Sequence, residues 1–413
     1  MQTGDRFQVN TPGVFLNLRE GPSISDAVKG KLLHDTIVEI VDPNPRDKWF
    51  NVKAVIDGVE QVGWAHSDFL KPAGEQKPPQ DFEPIHVDTG VRKGVPSWAV
   101  GMNLPYLAFY GTPGAPNGIT DAVRDEQLKL LADLGVKVVR LFVRHRAAPD
   151  FIDRVSRAVS ALDAHGMQAI LCLIDVFSAM GFVLPELDEP GRSFYTMGTD
   201  AGFKLHREFY SNAAAVQVYL DYVSGAATAL AKHNNILIWE LGNELTLHAP
   251  HVTVTRADGD AFIRFAQRTA NIIHSRTDHL VGTGLVNSNH VTPSDGSTSR
   301  LDYAKRLYAV VDAVSLHYYR EDDEEGKIGD DLAAAGGKPV YIGEVGADFK
   351  MGGRGGYFAD QFRKARFERG CFLAMPWDMG APSSAGFGGE RGLAWSHPDI
   401  QDVLNQVRDA AKF

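Results

Sequence analysis

Two glutamates stand where a chain would place groups that do chemistry. Ile236-Leu237-Ile238-Trp239 is apolar throughout, the pattern of a strand buried on both faces, and it runs into Gly242, Asn243 and Glu244. Tyr341-Ile342-Gly343-Glu344 has the same form, a short apolar run closed by a glutamate. An apolar strand with an acid at its carboxyl end is how a parallel barrel delivers catalytic groups to its mouth. Taken alone, either glutamate reads equally well as a solvated strand cap; the recurrence favours chemistry. Paired carboxylates suit reactions in which one group holds a proton while the other holds a charge.

The elements that must position them can be read from residue 95 onward, where strand and helix patterns alternate in the manner of a parallel α/β sheet. Strands are expected at 98–104, 136–143, 167–174, 236–239, 280–285, 311–317, 339–344 and 371–377. Helical faces lie between them, among them Leu128, Leu131 and Leu134, then Ile152, Val155, Val159 and Leu162, then Phe262, Phe265, Ile272 and Ile273. Val216, Leu220 and Val223 precede the fourth strand, Ile400, Val403, Leu404 and Val407 end the chain, and the short Ala-rich stretch 330–335 is the least marked helix. This pattern counts out an α/β fold, a (β/α)8 TIM barrel.

A closed barrel gathers every strand's carboxyl end on one rim. Asn103, Arg140, Asp175, Asn243, Glu244, His317, Tyr318, Tyr319, Glu344, Trp377 and Asp378 would converge there although they are far apart in sequence. Arg140 stands among Val138, Val139 and Leu141 and so needs a carboxylate partner. A core-edge salt bridge is one reading; with Glu344 on the same rim, a clamp that keeps a nucleophilic carboxylate ionised is preferred. Two glutamates, an arginine, a histidine and aromatic rings suit glycosidic-bond hydrolysis, in which one acid protonates the leaving oxygen and one carboxylate attacks or activates water. The glutamate beside Arg140 and Tyr319 should stay charged, and the other should hold its proton to higher pH.

Trp239-Glu240-Leu241-Gly242-Asn243-Glu244 and Ile342-Gly343-Glu344 resemble the two signature strands of clan A retaining glycoside hydrolases. The resemblance extends to Arg140, to the His317–Tyr319 spacing and to Trp377, and covers about 95–413. Within the clan it is most similar to family 5 and its neighbours. It implies Glu244 as acid/base, Glu344 as nucleophile, Asn243 on the sugar 2-hydroxyl and Tyr319 bonded to the nucleophile. It further implies His317 as a subsite or supporting donor and Trp377 as a stacking platform; Asp175 and Asn103 are further rim groups read from their places at strand ends. Leu245 stands where family 5 usually has proline, and Asp175 where a histidine is common. The implied activity is a retaining endo-β-glycanase acting on a polysaccharide of glucan or mannan type, with no cofactor and no metal. A non-catalytic carbohydrate- or cell-wall-binding protein on the same fold is the alternative.

Residues 1–72 differ, with short β-rich runs at 14–18, 36–41, 49–52 and 62–65. Turn clusters separate them at Gly21-Pro22-Ser23, Asp42-Pro43-Asn44-Pro45 and Asp57-Gly58. Leu16-Asn17-Leu18-Arg19-Glu20-Gly21-Pro22-Ser23 and Gly63-Trp64-Ala65-His66-Ser67-Asp68-Phe69-Leu70 resemble the opening and closing motifs of bacterial SH3 domains. That resemblance implies a small all-β barrel, and either attachment to the bacterial cell wall or a packing role without a ligand. Residues 73–94, with Pro78, Pro79 and Pro84, read as an extended linker, so the expected organisation is 1–72, 73–94 and 95–413.

The net charge of −10 argues against nucleic acid or an anionic membrane as partner. Cys172 and Cys371 sit in apolar runs and read as buried free thiols. No run reaches transmembrane length, so no membrane insertion is expected. An exported enzyme is expected, secreted or at the cell surface or periplasm with its leader removed; a cytoplasmic place stays open. Tyr106, Tyr110, Phe177, Phe182, Phe194 and Tyr195 are weaker candidates for rim subsites. Glycine-rich 352–356 and 381–392 read as mobile rim loops, and Asp322-Asp323-Glu324-Glu325 as a solvated helix start. His248 and His251 lack the spacing of a metal site.

Overall fold

The computed structural model describes residues 2–10, 15–33, 36–56, 59–72, 95–109, 121–143, 150–175, 200–248, 252–322, 324–380 and 391–413. The chain divides into two compact units. The linker expected at 73–94 lies outside the described residues, as do Tyr110, Phe177, Phe182, Phe194, Tyr195, His251 and the loop 381–390.

The N-terminal unit is an antiparallel sheet of β1 (Arg6–Val9), β2 (Phe15–Arg19), β3 (Val28–Leu33), β4 (Ile37–Arg46), β5 (Trp49–Ile56), β6 (Val59–His66) and β7 (Leu70–Pro72). The strands lie in the order β3-β2-β6-β5-β4-β1-β7. Alternation sends Leu16 and Leu18, Val38 and Ile40, and Phe50, Val52 and Ala54 into one core. β3 reads Val-Lys-Gly-Lys-Leu-Leu, and its lysines mask the period that would have announced it. The turn expected at Asp42-Pro43-Asn44-Pro45 belongs instead to β4, whose pairing with β5 slips after Ile40 and again after Asp42. A bulged ladder tolerates proline because the missing N–H falls where pairing is already interrupted. The reversal falls on Asp47 and Lys48, with φ of +46° and +67°, the two left-handed residues of a type I′ hairpin turn. Asp57-Gly58 lies outside the described residues; the strands beside it pair as expected, Ile56 with Val59.

The second unit is a parallel barrel of eight strands, nearly closed. They are β8 (Ala99–Asn103), β9 (Val138–Phe142), β10 (Gln168–Cys172), β11 (Ile236–Glu240), β12 (Leu280–Gly282), β13 (Val314–Tyr319), β14 (Val340–Gly346) and β15 (Leu373–Pro376). A parallel bridge from Gly282 to Ala313 links the two end strands, β12 and β13. Every strand expected from the apolar runs is present. Helices expected from 3.6-residue spacing appear at Asp121–Asp133, Phe151–Ala164, Ala213–Leu230, Arg256–His274 and Ile400–Ala410, and the Ala-rich one at Gly329–Ala334. The helices Asp200–Ser211, Arg300–Tyr308 and Arg354–Arg363 were not foreseen. The last corrects the rim-loop reading of 352–356: Gly353 takes a left-handed φ of +65° and the helix starts at Arg354. Among the described residues no helix is long and apolar enough to cross a membrane. Cys172 and Cys371 are buried free thiols.

Inside the barrel an apolar layer contains Ala99, Val138, Ile170, Ile238, Leu280, Tyr341 and Leu373. Side chains two residues on share a strand face, so Arg140, Cys172 and Glu240 follow Val138, Ile170 and Ile238 on that inward row. The apolar layer is thus a dry floor on which a polar layer rests.

Candidate active site

Arg140 is wholly buried and uses both edges of its guanidinium. Its Nε donates to Glu240 Oε2 at 2.7 Å and its Nη2 to Asn243 Oδ1 at 2.8 Å. Its Nη1 donates to Glu344 Oε1 at 2.8 Å and to Asn103 Oδ1 at 3.0 Å. The planar fork lets one side chain meet groups from β8, β11, β14 and the turn after β11, which a lysine's point charge could not do. Burial works against its charge, but Glu240 and then Glu344 more than offset this and hold the proton more tightly than usual.

Glu344 is almost wholly enclosed, its side chain 2% exposed. Tyr319 donates to its Oε2 at 2.6 Å. His317 and Tyr319 are two residues apart on β13 and so share a face. A register shift between Leu316 and His317 brings His317 opposite Glu344. Gly343 makes this possible, because a Cβ there would meet Ser315 Oγ at 2.4 Å and His317 Nε2 at 2.6 Å. His317 Nδ1 lies 3.2 Å from Glu244 Oε1 and 3.5 Å from Glu344 Oε1, while Nε2 lies 3.1 Å from Ser315 Oγ. Burial lowers the imidazole to about 4, so the ring is neutral at ordinary pH.

Glu244 sits past the end of β11 in a left-handed turn, φ +52°, unusual for a residue with a side chain. Its N–H is fixed on Gly284 O at 2.8 Å. Gly284 must be glycine, since a Cβ there would meet Gly242 O at 2.0 Å. The turn presents Glu244 to solvent on one side, its side chain 33% exposed. An oxygen of Glu244, an oxygen of Glu344 and a nitrogen of His317 all lie within 4.8 Å of one another. Such spacing could admit a cation, but the Arg140 guanidinium already bonded to Glu344 would repel one.

Withdrawal from water raises both carboxyls above their ordinary range. For Glu244 this is opposed by Arg140 and His290 and aided by Asp322. For Glu344 it is opposed by His317, by Arg140 and by the Tyr319 hydrogen bond, and aided by the Glu244 charge. The direct contacts are unequal: a cation and a phenol touch Glu344, whereas Glu244 faces a neutral ring and open space. One carboxylate thus has partners that favour its charged form, and the other has none of these and opens to solvent.

The rim residues named from sequence gather at different depths, except Tyr318, whose side chain lies on the other face of β13 against Arg369. Asn103, Arg140 and His317 are wholly buried; Arg140 and His317 contact the acidic pair, and Asn103 contacts Arg140. Asn103 Nδ2 donates to Gly343 O at 2.8 Å and to Pro376 O at 3.1 Å, tying β8 to its neighbours. Asn243 spends its oxygen on Arg140 and bridges Asp175 through the backbone. Trp377 is half-buried at the end of β15, tilted against Phe142 at 6.3 Å. Glu324 and Glu325 correct the solvated-helix reading: Glu324 pairs with Lys327 at 3.0 Å, and Glu325 with Lys364 at 3.2 Å and Arg369 at 2.5 Å. His248 is engaged at 2.9 Å from Thr292 O.

Sequence reasoning paired Arg140 with Glu344 and overlooked Glu240, which is buried, bonded to Arg140 and also accepts from Tyr341 Oη at 2.7 Å. The signal was present: Glu240 continues an apolar strand, where a charge requires a partner as Arg140 did. Arg391 was also missed; its guanidinium lies 4.8 Å over the Tyr319 ring and 3.2 Å from Asp322.

No protein-family model matches the chain. It is 23% identical over 263 residues to a probable mannan endo-1,4-beta-mannosidase A of Aspergillus clavatus, across 60% of this chain and 62% of that relative. The match therefore spans less than two thirds of the curated relative's length. Among solved structures it is similar to the endo-beta-1,4-mannanase from Thermotoga petrophila, with a TM-score of 0.57, 17% identity and 76% of each chain covered. Endo-glycoceramidase II from Rhodococcus sp. aligns with a TM-score of 0.51 at 18% identity, covering 74% of this chain and 78% of that one. At these identities the structural likeness establishes the barrel fold.

Proposed function

We propose that the chain is a retaining glycoside hydrolase that cleaves internal β-1,4 linkages of a mannan. One observation carries the reading: oxygens of Glu244 and Glu344 lie within 4.8 Å, with a cation and a phenol on Glu344 alone. Retaining enzymes hold their two carboxyl groups about 5–5.5 Å apart, and inverting ones need roughly 6.5–9.5 Å to admit a water. Glu344 attacks the anomeric carbon as the bond to the leaving oxygen breaks, and Glu244 gives its proton to that oxygen. Glu244, now a carboxylate, takes a proton from water, which attacks the same carbon and frees Glu344. In this reading Asn243, held by Arg140 and the backbone, meets the 2-hydroxyl, and Trp377 stacks on a sugar face. The mannan preference is supported by the curated relative and the Thermotoga petrophila structure, both described as mannan-cleaving.

The test is incubation with β-1,4-mannan, with product sizing and proton NMR of the first-released anomer. Short oligosaccharides of β configuration are expected; first release of the α anomer would sink the retaining reading, and no hydrolysis would sink the enzyme. The N-terminal sheet is proposed to be an SH3-like module that holds the exported enzyme at a cell wall, on the strength of the motifs at 16–23 and 63–70. Loss of bacterial cell-wall co-sedimentation when residues 1–72 are removed is the expected result.

A further inference from the structure

We propose that Glu240 is a positioning residue that sets how much of the Arg140 charge reaches Glu344, and so fixes the basicity of the attacking carboxylate. The inference rests on Glu344 being the nucleophile.

The geometry is one cation between two buried carboxylates. Arg140 turns its Nε edge to Glu240 at 2.7 Å and its Nη1 to Glu344 at 2.8 Å. Glu240 has no exposed surface; one oxygen is bonded to Arg140 and the other accepts from Tyr341 Oη at 2.7 Å. It therefore acts on the reaction only through Arg140. A cation bound to Glu344 alone would make it a weak base and a poor nucleophile. Sharing the cation with Glu240 leaves Glu344 ionised but still reactive, because the two anions repel across the guanidinium. The other groups facing Glu344 are His317 and Tyr319 on β13 and Glu244 after β11, while Cys172 on β10 stands beside Arg140. His317 is held neutral by burial and Glu244 carries the proton it donates, so Glu240 is the negative group that offsets the arginine. Tyr341 tunes the balance in turn: its hydrogen bond takes part of the Glu240 charge that would otherwise fall on Arg140.

The experiment is the pH profile of kcat/KM on β-1,4-mannan for the full chain and its E240Q and Y341F variants. The amide keeps an oxygen for Arg140 Nε but removes the anion. The acid limb, which reports deprotonation of the nucleophile, should fall by roughly one pH unit in E240Q, with kcat lower by about ten-fold. In Y341F the limb should move the opposite way, because unsolvated Glu240 draws harder on Arg140. A merely structural role for Glu240 would loosen Arg140 and raise the limb in E240Q; that result, or an unmoved limb, overturns the proposal. If E240Q does not fold, Y341F decides: an upward limb supports the proposal and an unmoved limb overturns it. If the wild-type chain hydrolyses no mannan, the functional reading fails by itself. Carbon-13 NMR titration of the Glu344 carboxyl then tests Glu240 separately, a lower midpoint in E240Q supporting the charge sharing and an equal or higher one overturning it.

Discussion

Replacing Arg140 by methionine should cost stability and activity together, by amounts that follow from its contacts. Methionine fills the volume of the arginine stem but supplies no donor. Four hydrogen bonds disappear, to Glu240, Asn243, Glu344 and Asn103. Among the described residues Glu240 then keeps Tyr341, and Glu344 keeps Tyr319 and the neutral His317. Removing one partner of a buried pair costs about 3–5 kcal/mol, because an uncompensated charge stays behind. For a unit of this size that is a fall in Tm of roughly 4–7 °C. The carboxyls would escape part of the penalty by binding protons, so the acid limb of kcat/KM should rise and activity near neutral pH fall by about a hundred-fold or more. Circular dichroism melting and a pH series on β-1,4-mannan measure both. Arg140→Lys should restore part of the melting temperature but little activity, since it keeps the charge without the fork. If the methionine variant melts within about 2 °C of wild type and its acid limb does not move, the claim that Arg140 holds the acidic pair together is wrong.

Glu344→Gln should abolish turnover without destabilising the fold. Burial raises this carboxyl above its ordinary 4.5, so its stabilising contribution is present below that value and is lost as pH rises through the folded one. At neutral pH the amide should melt at the same or a higher temperature, and a clear drop in scanning calorimetry would contradict the sign. Glu244→Ala should lose about a thousand-fold on mannan but far less on a dinitrophenyl glycoside, whose leaving group needs no proton. Azide should restore its rate with a β-glycosyl azide as product, and equal losses on both substrates would remove Glu244 as the acid. His206, buried and lowered to about 4 from 6.5, has the opposite linkage to Glu344. Between those two values the unfolded chain takes a proton that the folded one refuses, so stability falls as pH drops. His206→Gln should remove on the order of 2 kcal/mol of that acid loss in urea unfolding at pH 5 against pH 7, with kcat unchanged; parallel curves for variant and wild type would refute it.

The barrel was legible because its signal is local. A strand buried on both faces is apolar along its length, so all eight could be found from short runs, and an acid closing such a run stands out. The missed elements are those whose pattern is diluted. The helix Arg354–Arg363 opens on two glycines, and β3 carries lysines at alternate positions. The proline cluster at 42–45 misled because proline breaks a regular ladder, whereas β4 is bulged there and the reversal needed two left-handed residues just beyond.

Which runs would be buried strands, and that Arg140 and Glu344 would stand on them, was settled by sequence alone, because side-chain period and polarity act over a few residues. Which of them touch was settled only by closing the ring. Glu240 and Glu244 are four residues apart, yet one is sealed against Arg140 and the other opens to solvent. The chain turns left-handed at Glu244, and Gly284, just past β12, leaves room for the Gly242 carbonyl before it. Likewise His317 faces Glu344 through a one-position slip between β13 and β14. Such slips and close approaches are decided by how neighbouring strands pack, and no local pattern of residues encodes them.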